Sequence, residues 1–94
     1  MFKLKDRADG CDKEENIIAL KAKLEALPAQ IEEIKSFEVG VNTIEAGVAY
    51  DLVLVSLFES KEALFSYQNH PEHLLVASFV GKVCDSRVVV DYVP

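Results

Sequence analysis

Tyr50-Asp51-Leu52-Val53-Leu54-Val55-Ser56-Leu57-Phe58 is the most strand-like run in the chain, and its reading decides the fold. Side chains of a strand alternate between its two faces. Leu52 and Leu54 therefore share one face, and Val53, Val55 and Leu57 share the other. Both faces are apolar. A sheet built around such a strand needs a cover on each side, since apolar surface kept from water is worth about 25 cal/mol per Å2.

Reading downstream, Ser60 offers a hydroxyl to cap a short helix through Tyr67. Asn69 or His70 caps the next helix, with Pro71 at the first helical position, where its missing N–H costs nothing. Leu74, Leu75, Val76, Phe79, Val80 and Val83 make that helix strongly apolar, and Arg87–Val93 is expected as the last strand. Reading upstream, Glu45–Ala49 is a loop and Ser36–Ile44 a strand, with Phe37, Val39 and Val41 opposite Glu38, Gly40 and Asn42. Pro28–Lys35 is expected to make a short helical turn that seats Ile31 and Ile34. Ile17, Leu20, Leu24 and Leu27 recur at helical spacing, behind a capping box of Asp12 and Glu15, and that helix ends near Pro28. Asp9-Gly10 marks a turn, and Met1–Lys5 alternates as a first strand.

The order is strand, helix, strand, strand, helix broken in two, strand. It predicts one α+β domain over residues 1–94, with the ferredoxin-like β-α-β-β-α-β arrangement of an antiparallel sheet and helices on one face. Val53, Val55 and Leu57, with help from Val88-Val89-Val90, line the face the helices leave bare. One domain has no spare element to cover it. A second copy supplies the cover by packing sheet against sheet, so a closed homodimer is expected.

Bulk properties agree. At 94 residues a chain buries roughly 60–65% of its unfolded surface, so association is a natural supplement to a marginal monomer. The net charge of −6 excludes a general nucleic-acid binder, and Lys3, Lys5 and Arg7 read as a solvated strand edge. No stretch is long enough to span a bilayer, none resembles a signal peptide, and Cys11 and Cys84 form no C-x-x-C pair. The expectation is a cytoplasmic protein without membrane or nucleic-acid partners.

Chemistry centres on His70 and His73, which flank Pro71-Glu72 and are the only histidines. His73 falls in the first turn of a helix, where the positive end of the dipole favours neutral imidazole, a form suited to act as a base. His70 and His73 with Glu72 or Asp91 have no recognised zinc spacing, so no metal is expected. The chain has no glycine-rich phosphate loop and no haem attachment motif, and no cofactor is expected.

Met1-Phe2-Lys3-Leu4-Lys5, Tyr50–Val55, Phe58-Glu59-Ser60, Tyr67-x-x-His70-Pro71-x-His73 and Asp91-Tyr92 together make the chain resemble the stress-responsive A/B barrel (Dabb) family. The resemblance implies a ferredoxin-like protomer and a dimeric α/β barrel formed by two sheets. It implies no assigned reaction for most members, and for relatives similar to olivetolic acid cyclase a polyketide ring closure in a pocket between sheet and helices. In those relatives the residues matching Tyr67 and His73 are the catalytic pair, and the one matching Asp91 holds the histidine. By that likeness His73 would take a proton from an activated carbon, Tyr67 would donate a hydrogen bond to the enolate oxygen, and Asp91 would fix the imidazole tautomer. Two features depart from the cyclase pattern. Leu52 stands where the cyclases carry a second pocket histidine, and family members usually start several residues earlier, with a histidine in that part of the first strand. Phe2, Leu4, Leu52, Leu54 and Val76 would fill the pocket with aliphatic and aromatic bulk.

Three readings follow. The first is a homodimeric Dabb protein that holds a small molecule between sheet and helices without turnover. The second is a lyase- or cyclase-like enzyme using His73 as base and Tyr67 as donor. In the third, His73 and Asp91 are a buried pair tying helix to strand, with the Tyr67 ring in the core.

Overall fold

The computed structural model describes residues 1–44, 47 and 49–93. Its elements begin with β1 (Phe2–Leu4), which leads into a small hairpin of β2 (Arg7–Ala8) and β3 (Cys11–Asp12). Asp9 at φ 53° and Gly10 at φ 79° give that hairpin two consecutive left-handed residues, as a two-residue turn matched to the strand twist requires. Helix α1 (Lys13–Glu25) follows directly. The expected capping box is present: Asp12 Oδ1 accepts from the Glu15 amide at 2.9 Å, and Glu15 Oε1 accepts from the Asp12 amide at 3.1 Å. Asn16 is buried but not orphaned, because its side-chain amide donates to the Ala8 carbonyl at 2.9 Å and ties the hairpin to the helix.

Pro28 sits in a 3-10 turn, Leu27–Ala29, that ends the first helical segment and turns Leu27 and Ile31 into the core. Strands β4 (Ser36–Val41) and β5 (Leu52–Leu57) then pair antiparallel from Ser36↔Leu57 to Val41↔Leu52. The expected extension of β4 to Ile44 stops short. Asn42 still donates its amide to the Asp51 carbonyl, but its side chain then bonds both the amide and the carbonyl of Ile44, bending the chain out of the ladder. Glu45, Ala46 and Val48 of the expected loop lie outside the described residues.

Ser60 caps α2 (Lys61–Asn69) by accepting from the Ala63 amide at 3.1 Å. His70 interrupts the helix in extended conformation, and α3 (Pro71–Val83) starts from the proline. The last strand, β6, is Cys84–Arg87 and not the expected Arg87–Val93. The reason lies in its partner. β6 pairs with β1 through Leu4↔Cys84, Lys3↔Ser86 and Phe2↔Arg87, and Met1 and Val88 exchange a final pair of bonds at 3.0 Å. Beyond Val88, residues 89–93 pair with no strand among the described residues.

The sheet order β4-β5-β1-β6 places the two central strands where the helices α1 and α3 pack over them. Phe2, Leu4 and Leu52 meet Leu20, Leu24, Val80 and Val83 in that layer. Among the described residues no helix lies on the other face, and Val53, Val55 and Leu57 remain 38%, 55% and 46% exposed on it.

The junction of β1 and β5 is the shortest in the sheet, with Phe2↔Leu52 its single paired position. Asp51 extends it with a side chain. Its Oδ2 accepts from the Leu4 amide at 2.8 Å, in the place of a ladder carbonyl, and lies 3.6 Å from the Lys13 ammonium at the start of α1. Replacing Asp51 with alanine strands a part-buried N–H, which costs about 1–3 kcal/mol. Asp51→Asn keeps an acceptor and loses only the weak ion pair, so it is expected to cost less than about 1 kcal/mol. Urea unfolding of both variants checks this, and equal losses would show that the Leu4 hydrogen bond is not what Asp51 contributes.

Candidate functional site

The break at His70-Pro71 builds the site. In an unbroken helix the Gln68 carbonyl would accept from the Glu72 amide four residues on. Here the Glu72 amide donates instead to His70 Nδ1 at 3.1 Å, as the cap of α3, and the Gln68 carbonyl is left without its helical donor. His73, in the first turn of α3, takes that carbonyl with Nδ1 at 3.0 Å. A carbonyl can only accept, so Nδ1 carries the hydrogen and the neutral ring presents its lone pair at Nε2.

The same break folds the last turn of α2 against the first turn of α3. Tyr67 is 6% exposed, and its ring lies 4.4 Å from the His73 ring, centroid to centroid. Phe58 at 4.9 Å and Phe37 at 6.2 Å enclose the rest of it. Burial pushes the Tyr67 phenol up to about 12, so it keeps its proton at neutral pH and acts only as an O–H group. Burial also holds His73 below the ordinary imidazole value. The Arg87 cation lowers it further, and the Gln68 hydrogen bond opposes both. His73 is therefore neutral at pH 7.

Tyr67 and His73, the two residues that the resemblance paired, lie ring against ring. Asp91 is not brought to them. It is exposed in the segment beyond β6, past the last ladder bond at Val88, and the Gln68 carbonyl occupies the imidazole nitrogen expected for it. Sequence reading missed both the carbonyl and Arg87. A backbone atom leaves no residue signature, although Pro71 four residues after Tyr67 marks where helical carbonyls lose their donors.

The space between sheet and helices is filled. Phe2, Leu4, Leu52 and Val76 are all buried there, and Leu54 is half-buried against them. Room lies on the outside of the protomer. One cleft of about 410 Å3 runs between Pro28, Glu32, Glu33 and His70. Another of about 300 Å3 runs between α3 and β6, along Val80, Gly81, Cys84 and Arg87. Neither touches Tyr67 or His73. Burial pushes the Cys84 thiol up, so at neutral pH it stands in its cleft as a protonated thiol. Among the described residues no three His, Cys, Asp or Glu side chains gather as metal ligands, and no helix is long and apolar enough to cross a membrane.

Comparison with known proteins places this geometry. The sequence pattern of the stress responsive A/B barrel domain, Dabb, matches residues 1–94. A stress-response A/B barrel domain-containing protein of Arabidopsis thaliana is 34% identical over 95 residues, which span 99% of this chain and 34% of that protein. A second protein of the same description from the same plant is 38% identical over 69 residues, 68% of this chain and 61% of its own length. The chain thus spans about a third of one relative and under two thirds of the other. Among solved structures, a dimeric protein of ferredoxin-like fold from Bacteroides fragilis aligns with a TM-score of 0.77 at 33% identity, covering 97% of this chain and 87% of that one. A dimeric ferredoxin-like protein from Thermobifida fusca aligns with the same TM-score of 0.77 at 24% identity, covering 94% and 79%, a likeness of fold alone. With its pattern matched from end to end and its ferredoxin-like sheet and helices in place, the chain belongs to the stress-responsive A/B barrel domain family.

Proposed function

We propose that this domain works as a homodimeric A/B barrel module of the stress-response type, acting through association and ligand holding without turnover. The observation that carries the reading is the bare sheet face, where Val53, Val55 and Leu57 stand open to water in an isolated protomer. Such a patch marks an interaction surface, and a second copy is the cover that closes by symmetry. The stress-response names of the Arabidopsis relatives and the dimeric state of the Bacteroides fragilis protein support it. A small-molecule ligand has its room in the two outer clefts, since side chains fill the space between sheet and helices. A cytoplasmic setting fits the two free thiols of Cys11 and Cys84. Sedimentation at micromolar concentration is expected to show a dimer for the wild type and a folded monomer for Val55→Lys, which puts an ammonium at the centre of the face. A monomeric wild type overturns the reading.

A second reading rests on His73 itself. Its Nδ1–H is fixed by Gln68, its Nε2 lone pair is free to take a proton, and the protonated Tyr67 hydroxyl group belongs to the ring tilted against it. In a lyase- or cyclase-like reaction Nε2 would remove a proton from a carbon acid while the Tyr67 O–H bonded the enolate oxygen. Thermal shifts with small aromatic and polyketide-like acids decide between the two. Equal shifts for wild type and His73→Ala keep His73 out of any ligand site, and a shift lost in His73→Ala moves the function to this pair.

The depressed imidazole gives an independent check. The unfolded chain binds a proton at His73 near 6.5, and the folded chain only at lower pH. Stability conferred by the neutral ring is therefore complete above that value and is lost as pH falls through the window beneath it. Titration of the His73 ring protons by NMR is expected to give a midpoint below 6.5. In His73→Ala the stability profile is expected to flatten over the same window.

A further inference from the structure

The apolar surface of the bare face runs on past the sheet. By the observed register Gly40 of β4 stands beside Val53 of β5, and Glu38 and Ser36 stand beside Val55 and Leu57. From Phe2↔Leu52, antiparallel pairing sets Met1 beside Val53 and Lys3 beside Asp51, and Met1 exchanges its bonds with Val88. Val53, Met1 and Val88 therefore form one apolar row across β5, β1 and β6, with Met1 51% and Val88 42% exposed. The chain leaves that row as Val89-Val90-Asp91-Tyr92-Val93. Its apolar members are 67% to 85% exposed and pair with no strand among the described residues. On the opposite side of the sheet β4 is an edge strand. Asn42 bonds to Asp51 of β5, so alternation turns the backbone of Gly40, Glu38 and Ser36 toward β5 and that of Val41, Val39 and Phe37 outward. Among the described residues no backbone group pairs with these outward ones.

Resting on the sheet-to-sheet dimer proposed above, we infer that residues 89–93 of each copy cross to the partner and extend its sheet at the β4 edge as an antiparallel strand. A twofold axis along the Val53–Val55–Leu57 strip stacks strip on strip at matching levels and exchanges the two flanks. β5 has one strand on its β4 side and two on its β1 side. The partner's β4 then lies over β1, and β6 stands one strand spacing, about 4.8 Å, beyond that edge, in the lateral position of a next strand. Levels and direction agree as well. Continued along β6, the chain past Val88 runs from the level of Val53 toward that of Leu57, whereas β4 runs from the level of Leu57 to that of Leu52. The two meet antiparallel. Five extended residues span about 16 Å and packed sheets lie about 10 Å apart, so the segment reaches the partner's layer with length left to lie along Phe37. An added strand takes up the outward N–H and C=O groups of the edge and removes exposed valine and tyrosine surface from water.

The test compares the wild type, Val55→Lys and a variant ending at Val88. Sedimentation equilibrium gives dissociation constants, far-UV circular dichroism confirms folding, and amide exchange by NMR reads the β4 edge. Loss of the segment is expected to weaken the dimer about tenfold or more. In the wild-type dimer the Phe37 and Val39 amides are expected to exchange about tenfold or more slower than in the shortened variant or the Val55→Lys monomer. A shortened variant that dimerises as tightly as the wild type overturns the crossing strand. Phe37 and Val39 amides that exchange equally fast in the wild type and Val55→Lys overturn it too. If Val55→Lys is monomeric while the shortened variant keeps the wild-type affinity, the crossing strand fails and the sheet-to-sheet reading stands. A monomeric wild type removes both.

Discussion

Everything in this protomer follows from β5 being apolar on both faces while the chain supplies helices for only one. Leu52 is 1% exposed beneath α1 and α3, and Val55, three residues on and pointing the other way, is 55% exposed. The asymmetry is inherent in a sheet of four strands whose helices all lie on one face: the covered side makes the core, and the open side makes the surface through which the fold can associate. Lys3 and Glu38 are tolerated on the open side because they flank the valine strip without interrupting it.

The covered side is held together by a few polar ties placed where ladders run out. Asp51 continues the β1–β5 junction after its one paired position and reaches Lys13 on the helix above. Asn16 closes the hairpin onto α1 from inside the protein. Each places a side chain where a backbone partner is missing, as buried N–H and C=O groups demand. The His70-Pro71 break repeats the device in reverse. A side chain takes the Glu72 amide, and the carbonyl this releases is taken by another side chain, His73.

Local chemistry was legible in the sequence, and reach was not. The Asp12–Glu15 capping box, the Ser60 cap, the Asp9-Gly10 turn and the proline-led α3 each depend on residues close in the chain, and all are present. The two-faced character of β5 was equally plain from alternation. The end of the last strand was not, because a strand ends where its pairing ends. Val88–Val93 has strand composition, but composition does not say which residues find a partner, and the observed pairing with β1 stops at Val88. The misplacement of Asp91 follows from the same cause, since a carboxylate expected on a strand beside His73 lies instead beyond the ladder. Gln68 could not be seen as a site residue because only its carbonyl matters.

The Tyr67–His73 pair therefore carries two meanings that the structure separates. As a structural element it is complete: the phenol ring is enclosed by Phe37 and Phe58, and the imidazole is anchored by a carbonyl that the helix break makes available. Neither contact requires a substrate. As a catalytic element it has the correct tautomer and a neutral ring, but a base also needs a reacting carbon within hydrogen-bond reach. Leu52 is buried in the core with Phe2, Leu4 and Val76, so the layer between sheet and helices is taken up by apolar side chains. The break that positions His73 is thus sufficient to explain its orientation, with Tyr67 buried on one side of it and neither the Pro28–His70 cleft nor the α3–β6 cleft reaching the pair.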